Sequence, residues 1–114
     1  MAAGDAGYVA VFITAADDEE ARLISQALLE QKKVACANII AGVSSQFWWQ
    51  DKIDAENESL LIVKTAASLL DEVVTLVREI HSYDNPEIIA LPIVGGSQEY
   101  LDWIGRVVDE TEHD

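Results

Sequence analysis

Residues 34–50, VACANIIAGVSSQFWWQ, and residues 51–65, DKIDAENESLLIVKT, decide the fold. Val34 to Gln50 reads as one long extended segment. Gln50-Asp51-Lys52 supplies a turn, and a second strand ends in Leu60-Leu61-Ile62-Val63-Lys64-Thr65. Together they predict a hairpin with arms longer than the usual strand of about five or six residues.

Working outward, Tyr8-Val9-Ala10-Val11-Phe12-Ile13-Thr14 is a short, nearly continuous apolar run, which reads as a central strand. Asp17-Asp18-Glu19-Glu20 opens a helix. Asp17 is placed to cap it with Glu20 three residues on, and acidic groups suit the positive end of a helix dipole. Ile24, Ala27 and Leu28 share one side with Gln31, while Lys32 and Lys33 stand at the other end, where cations are favoured. Beyond the hairpin, Ser68 is placed to cap a second helix, with Asp71 three residues later. Its apolar stripe is Leu69, Val73, Leu76, Val77 and Ile80. Ser82-Tyr83-Asp84-Asn85-Pro86 breaks that helix. Glu87 to Leu91 is another strand, with Pro92 marking an edge or an end. Gly95-Gly96 reads as a turn, and Ser97 as the cap of a last helix carrying Tyr100, Leu101, Ile104 and Val108.

The order is therefore β-α-β-β-α-β-α. Two right-handed βαβ crossovers joined by a hairpin predict an α/β (α+β) fold, a ferredoxin-like βαββαβ sandwich with helices on one face and an extra C-terminal helix. One domain is expected over 8–108, with a flexible N-terminus at 1–7 and an acidic tail at 109–114.

Composition narrows the function. A chain of 114 residues suits one domain and buries roughly two-thirds of its surface on folding. Half its residues are hydrophobic, which argues against disorder. No window approaches the roughly 18 apolar residues of a membrane helix. The first seven residues have neither the basic start nor the apolar run of a secretory signal, so a cytoplasmic protein is expected. The net charge of −14, from 21 acidic and 7 basic side chains, argues against nucleic acid, whose phosphates demand clustered Lys and Arg. An acidic surface keeps the protein soluble, and its alternative use is to concentrate cations weakly. Cys36 is the only cysteine, which excludes an internal disulfide; a zinc cage would need more ligands. Phosphate loops, nucleophile elbows and H-E-x-x-H helices are absent, so no catalytic residue is assigned.

Phe47, Trp48 and Trp49 stand in a row on the hairpin. Neighbours on a strand point to opposite faces, so one helical layer cannot cover all three. Apolar aromatics beside a long strand edge suggest a subunit interface. Local cover by helices and an aromatic ligand platform are the other readings.

Several separated stretches resemble the CutA family of divalent-cation tolerance proteins. They are Cys36 to Val43, Ser45 to Trp49 with Lys52-Ile53, Leu61 to Thr65, His81 to Ile93, and Tyr100 to Ile104. The resemblance runs from about residue 8 to 108. Ala41, Phe47, Asp51, Ser82 and Asp84 depart from the family's usual residues. The resemblance implies a homotrimer in which sheet edges pair between subunits, related in architecture to PII signalling proteins. It also implies a role in the response to copper and other divalent metal ions, without enzymatic activity.

Candidate ligands follow from that implication. Cys36 and His81 are the metal candidates, being the soft or borderline ligand types of the chain apart from Met1 and His113. Cysteine is also a common small core residue, and a histidine closing a helix often serves its last carbonyls. Lys64, Tyr83 and Glu87, with Trp49 of a neighbouring subunit, are candidates to line an inter-subunit cleft. There Lys64 would meet a small anionic ligand, or else pair with a nearby carboxylate. Three functions stay open: a trimer in copper tolerance and homeostasis, a PII-like sensor of an anionic metabolite, and a non-catalytic scaffold.

Overall fold

A computed structural model describes residues 7–109. Apart from Gly7 and Asp109, the expected N-terminal segment and acidic tail lie outside the described residues, as do Met1 and His113. The first strand, β1 (Tyr8–Ala15), alternates cleanly. Val9, Val11, Ile13 and Ala15 are buried on one side, and Tyr8, Ala10, Phe12 and Thr14 stand half-buried on the other.

Helix α1 (Asp18–Glu30) starts where Asp17 accepts a 2.9 Å hydrogen bond from the Glu20 amide. Glu20 reaches back to the Ala16 amide, one residue earlier than in the usual reciprocal box. Ala21, Ile24 and Leu28 bury its inner side. The helix ends in a Schellman arrangement: Lys33 N–H donates to the Leu28 carbonyl and Lys32 N–H to that of Leu29. Lys32 takes the left-handed conformation, φ 56°, that glycine usually supplies there.

Strands β2 (Cys36–Trp49) and β3 (Lys52–Ala66) form the long hairpin. Gln50 and Asp51 both have positive φ, 51° and 64°, as a two-residue type I′ turn requires. The register shifts between Ile40 and Val43, where Ala41 and Gly42 oppose Ser59. Gly42 has φ +72°, which a residue without Cβ adopts freely. This bulge inverts the parity of β2. Ahead of it Cys36, Asn38 and Ile40 oppose Lys64, Ile62 and Leu60; beyond it Phe47 and Trp49 oppose Asp54 and Lys52.

A 3₁₀ turn (Ala67–Leu69) leads into α2 (Leu70–Ile80). Ser68 was expected to cap this helix. It lies instead inside the 3₁₀ turn, and α2 has no side-chain cap. Strand β4 (Ile88–Ile93) runs through Pro92, which an edge position tolerates. Helix α3 (Gln98–Val108) starts at Ser97, which offers its backbone carbonyl rather than its hydroxyl.

The sheet is antiparallel in the order β2-β3-β1-β4, the ferredoxin-like arrangement. α1 and α2 cover one face, with Val11, Ile13, Ile24, Leu28, Leu61, Val63, Val73 and Val77 forming the main core. The expectation of helices on one face does not hold for α3. It packs a second, smaller cluster around Ile104 and Val108 against Tyr8, Ala66 and Ala35 at one end of the sheet. There the Tyr8 hydroxyl crowds Gly105 so closely that a Cβ would lie 2.7 Å from it.

Candidate functional site

Three regions carry the candidate residues. The first surrounds the C-terminal end of β1. His81 follows α2, and its side chain is fully buried. Nε2 lies 2.7 Å from the Thr14 carbonyl, so it carries the proton. Nδ1 then accepts the Tyr83 amide at 3.0 Å. Both ring nitrogens are engaged, and metal ligation would have to break one of these bonds. Glu20 Oε2 stands 3.7 Å from Nδ1 and accepts the Ser82 amide. Burial works against ionisation of Glu20. The hydrogen bonds from Ala16 and Ser82 outweigh it and hold the carboxyl below the usual range.

The Tyr83 ring packs 4.7 Å from that of His81, and its hydroxyl donates to Glu58 at 2.9 Å. Burial, then the Glu58 hydrogen bond and the charges of Glu58, Glu20 and Glu56, push the phenol far above its usual range. Tyr83 therefore acts as a neutral donor. Glu58 is buried although it sits one residue beyond Ser59, the last β3 residue paired with β1.

The second region lies at the opposite end of the sheet. Cys36 and Lys64 are register partners, and Lys64 also faces Ala10. Lys64 hydrogen-bonds the Asn38 side chain. Cys36 Sγ lies 3.3 Å from the Tyr100 hydroxyl, and this bond, followed by burial, raises the Tyr100 phenol. Cys36 is level with Ala10, four residues along β1 from the carbonyl that holds His81, about 13 Å away at strand rise. Cys36 and His81 do not meet within the chain, and the described residues contain no cluster of three or more His, Cys, Asp or Glu arranged for a metal. Likewise Lys64 stands six residues along β3 from Glu58, the partner of Tyr83, about 20 Å away. Lys64 and Tyr83 flank opposite ends of the sheet, so one chain does not bring them together. Glu87 is exposed just ahead of β4.

The third region is apolar. On the face opposite α1 and α2, Phe12, Leu60 and Ile62 are half-buried beside exposed Ile40, Ile89 (52 % exposed) and Leu91 (45 % exposed). The bulge sets Phe47 and Trp49 (59 % exposed) on the side of the hairpin continuous with this face. Trp48 (73 % exposed) faces the other way, opposite Ile53.

Residues 9–107 match the family model described as CutA1 divalent ion tolerance protein. This chain belongs to that family. The Archaeoglobus fulgidus divalent-cation tolerance protein CutA is 46 % identical over 99 residues, covering 87 % of this chain and 96 % of that one. The chloroplastic protein CutA 1 of Oryza sativa subsp. japonica is 41 % identical over 103 residues, 90 % of this chain but 58 % of its own length. The chain thus spans between half and three-fifths of the plant relatives it matches. The solved structure of the A. fulgidus periplasmic divalent cation tolerance protein CutA superposes with a TM-score of 0.87 at 44 % identity, covering 90 % of this chain and 99 % of that one. No helix among the described residues is long and apolar enough to cross a membrane.

Glu20, Glu58, Asn38 and Tyr100 were not among the expected site residues. Glu20 carried only a capping signal, and Glu58 sits in a polar run whose burial depends on where β1 ends. Tyr100 has the helical spacing of a core residue, and nothing local ties it to Cys36.

Proposed function

We propose that this CutA-family chain works as a non-enzymatic homotrimer in tolerance to copper and other divalent metal ions. The apolar sheet face carrying Ile40, Ile89 and Leu91, continued by Phe47 and Trp49, is the observation that supports assembly. A contiguous apolar face between two sheet edges is the kind of surface a neighbouring subunit covers. β2 and β4 are those edges, and pairing β2 of one copy with β4 of the next closes a ring. Phe47, Trp48 and Trp49 belong to the interface in this reading.

Separation of Cys36 from His81 moves the metal reading away from a site within one chain. Cys36 is the soft donor that remains, and assembly would have to supply its co-ligands. Titration with copper and zinc against a competing chelator tests this. Saturable copper binding lost in Cys36→Ser supports direct chemistry. Equal stripping of both proteins by the chelator contradicts it and leaves tolerance as an indirect effect. The chelator is needed because copper(II) binds most nitrogen, oxygen and sulfur sites better than other divalent ions do.

A PII-like sensor is the second reading, favoured by the placement of Lys64. Its ammonium is held by Asn38 on the face that Phe47 and Trp49 share, where a neighbour's arm would complete a cleft for a small anion. Thermal stabilisation by an anionic metabolite, lost in Lys64→Ala, is its expected signature. A cytoplasmic location belongs to the proposal, since a free thiol such as Cys36 suits a reducing compartment; cell fractionation tests it.

A further inference from the structure

We propose that His81 is a protonation-controlled latch on the segment between α2 and β4. In the neutral ring, Nε2–H donates to the Thr14 carbonyl and Nδ1 accepts Tyr83 N–H. A second proton can go only to Nδ1. It would turn that atom from acceptor to donor, directly opposite another donor, so Tyr83 N–H must lose its partner. The alternative acceptor is already in place. Glu20 Oε2 stands 3.7 Å from Nδ1, and a small closure would make a charge-assisted hydrogen bond.

The two arrangements are discrete. With a neutral ring, Tyr83 N–H closes onto the imidazole. With a charged ring, the imidazole closes onto Glu20 and the Tyr83 backbone is released. The groups around the ring are Glu20 from α1, the Thr14 carbonyl from β1, Tyr83 from the segment itself, and Glu58 from β3 through the Tyr83 hydroxyl. Asp18, at the same end of α1, is bonded to Ser59. The charged groups facing the ring are thus carboxylates.

Release would act on the sheet edge. The segment runs from His81 through buried Pro86 directly into β4, whose exposed Ile89 and Leu91 border the apolar face. Tyr83 would move with its backbone, and its hydroxyl would no longer be aligned on Glu58.

The test uses the full chain labelled with nitrogen-15 and titrated from pH 8 to pH 5. His81 is identified as the imidazole signal missing from His81→Gln. The latch predicts the Nε2–H tautomer at pH 8. It also predicts Ser82 and Tyr83 amide shifts that follow the His81 midpoint, and Tyr83 amide exchange, corrected for intrinsic rate, rising about tenfold or more across it. Glu20→Gln, which removes the charge but keeps the side chain's shape, should move the midpoint to lower pH. Nδ1–H at pH 8, a His81 titration that leaves the Tyr83 amide unchanged, or the same Tyr83 step persisting in His81→Gln would each overturn the proposal.

Discussion

The hydroxyl of Tyr83 donates a 2.9 Å hydrogen bond to Glu58, a carboxylate buried just past the end of the β1–β3 pairing. It ties the segment after α2 to the base of the hairpin arm. Tyr83→Phe removes the donor and leaves a buried carboxylate short of a partner, at a cost of about 1.5–3 kcal/mol. Thermal denaturation at fixed protein concentration should register the loss. An unchanged midpoint would mean that water or another donor serves Glu58 equally well.

Glu20 joins three elements through the Ala16 and Ser82 amides and its approach to His81. Its carboxyl is held below the usual range, so the folded state prefers the ionised form. That contribution is fully present above the ordinary carboxylate pKa and disappears as pH falls through the folded value. Glu20→Gln should therefore be less stable than the parent at pH 7, by about 1.5 kcal/mol. The difference should shrink as the pH is lowered below about 4. Denaturant melts at pH 7 and pH 3.5 measure both ends of this comparison.

Among the described residues, three with side chains occupy left-handed backbone that glycine adopts at no steric cost: Lys32 at the end of α1, and Gln50 and Asp51 in the hairpin turn, of which Lys32 and Asp51 are the ones to change. Each costs roughly 1 kcal/mol there. Lys32→Gly and Asp51→Gly should each raise thermal stability by up to about that amount. Lys32→Gly at an ordinary helical position would instead destabilise by a similar amount, so the sign of the change reports the conformation.

The fold was legible because its signals are local. Alternation along Tyr8–Ala15, the Asp17 cap with Glu20, and the long run broken at Gln50-Asp51 each act within a few residues. What escaped depends on long-range register. The bulge at Ala41-Gly42 reverses which aromatics share a face, and no periodicity announces it. Lys64 and Tyr83 both lie near segment ends in the chain, yet β3 runs about six residues between Lys64 and the partner of Tyr83, and only the strand pairing reveals that span. Ser68 has the right type and spacing for a cap, but the 3₁₀ turn placed it one position too early. The docking of α3 through Cys36, Tyr8 and Ala66 joins residues far apart in sequence, which apolar spacing alone does not disclose.

Charge placed on the open sheet face should separate the assembly from the fold. Leu91 projects from β4 beside Ala10, and Leu91→Glu would bury a carboxylate wherever a neighbouring subunit covers that face. The variant should keep the parent's far-UV circular dichroism and lose its oligomeric mass. Loss of secondary structure along with mass would place Leu91 in the fold of the chain itself.

The most direct measurement is the mass of the full chain in solution, by sedimentation equilibrium or light scattering at micromolar concentration. The account predicts a single species at three times the 12.5 kDa of one chain, unchanged on moderate dilution. A stable 12.5 kDa species would contradict it, leaving the Ile40–Ile89–Leu91 face without the partner assigned to it.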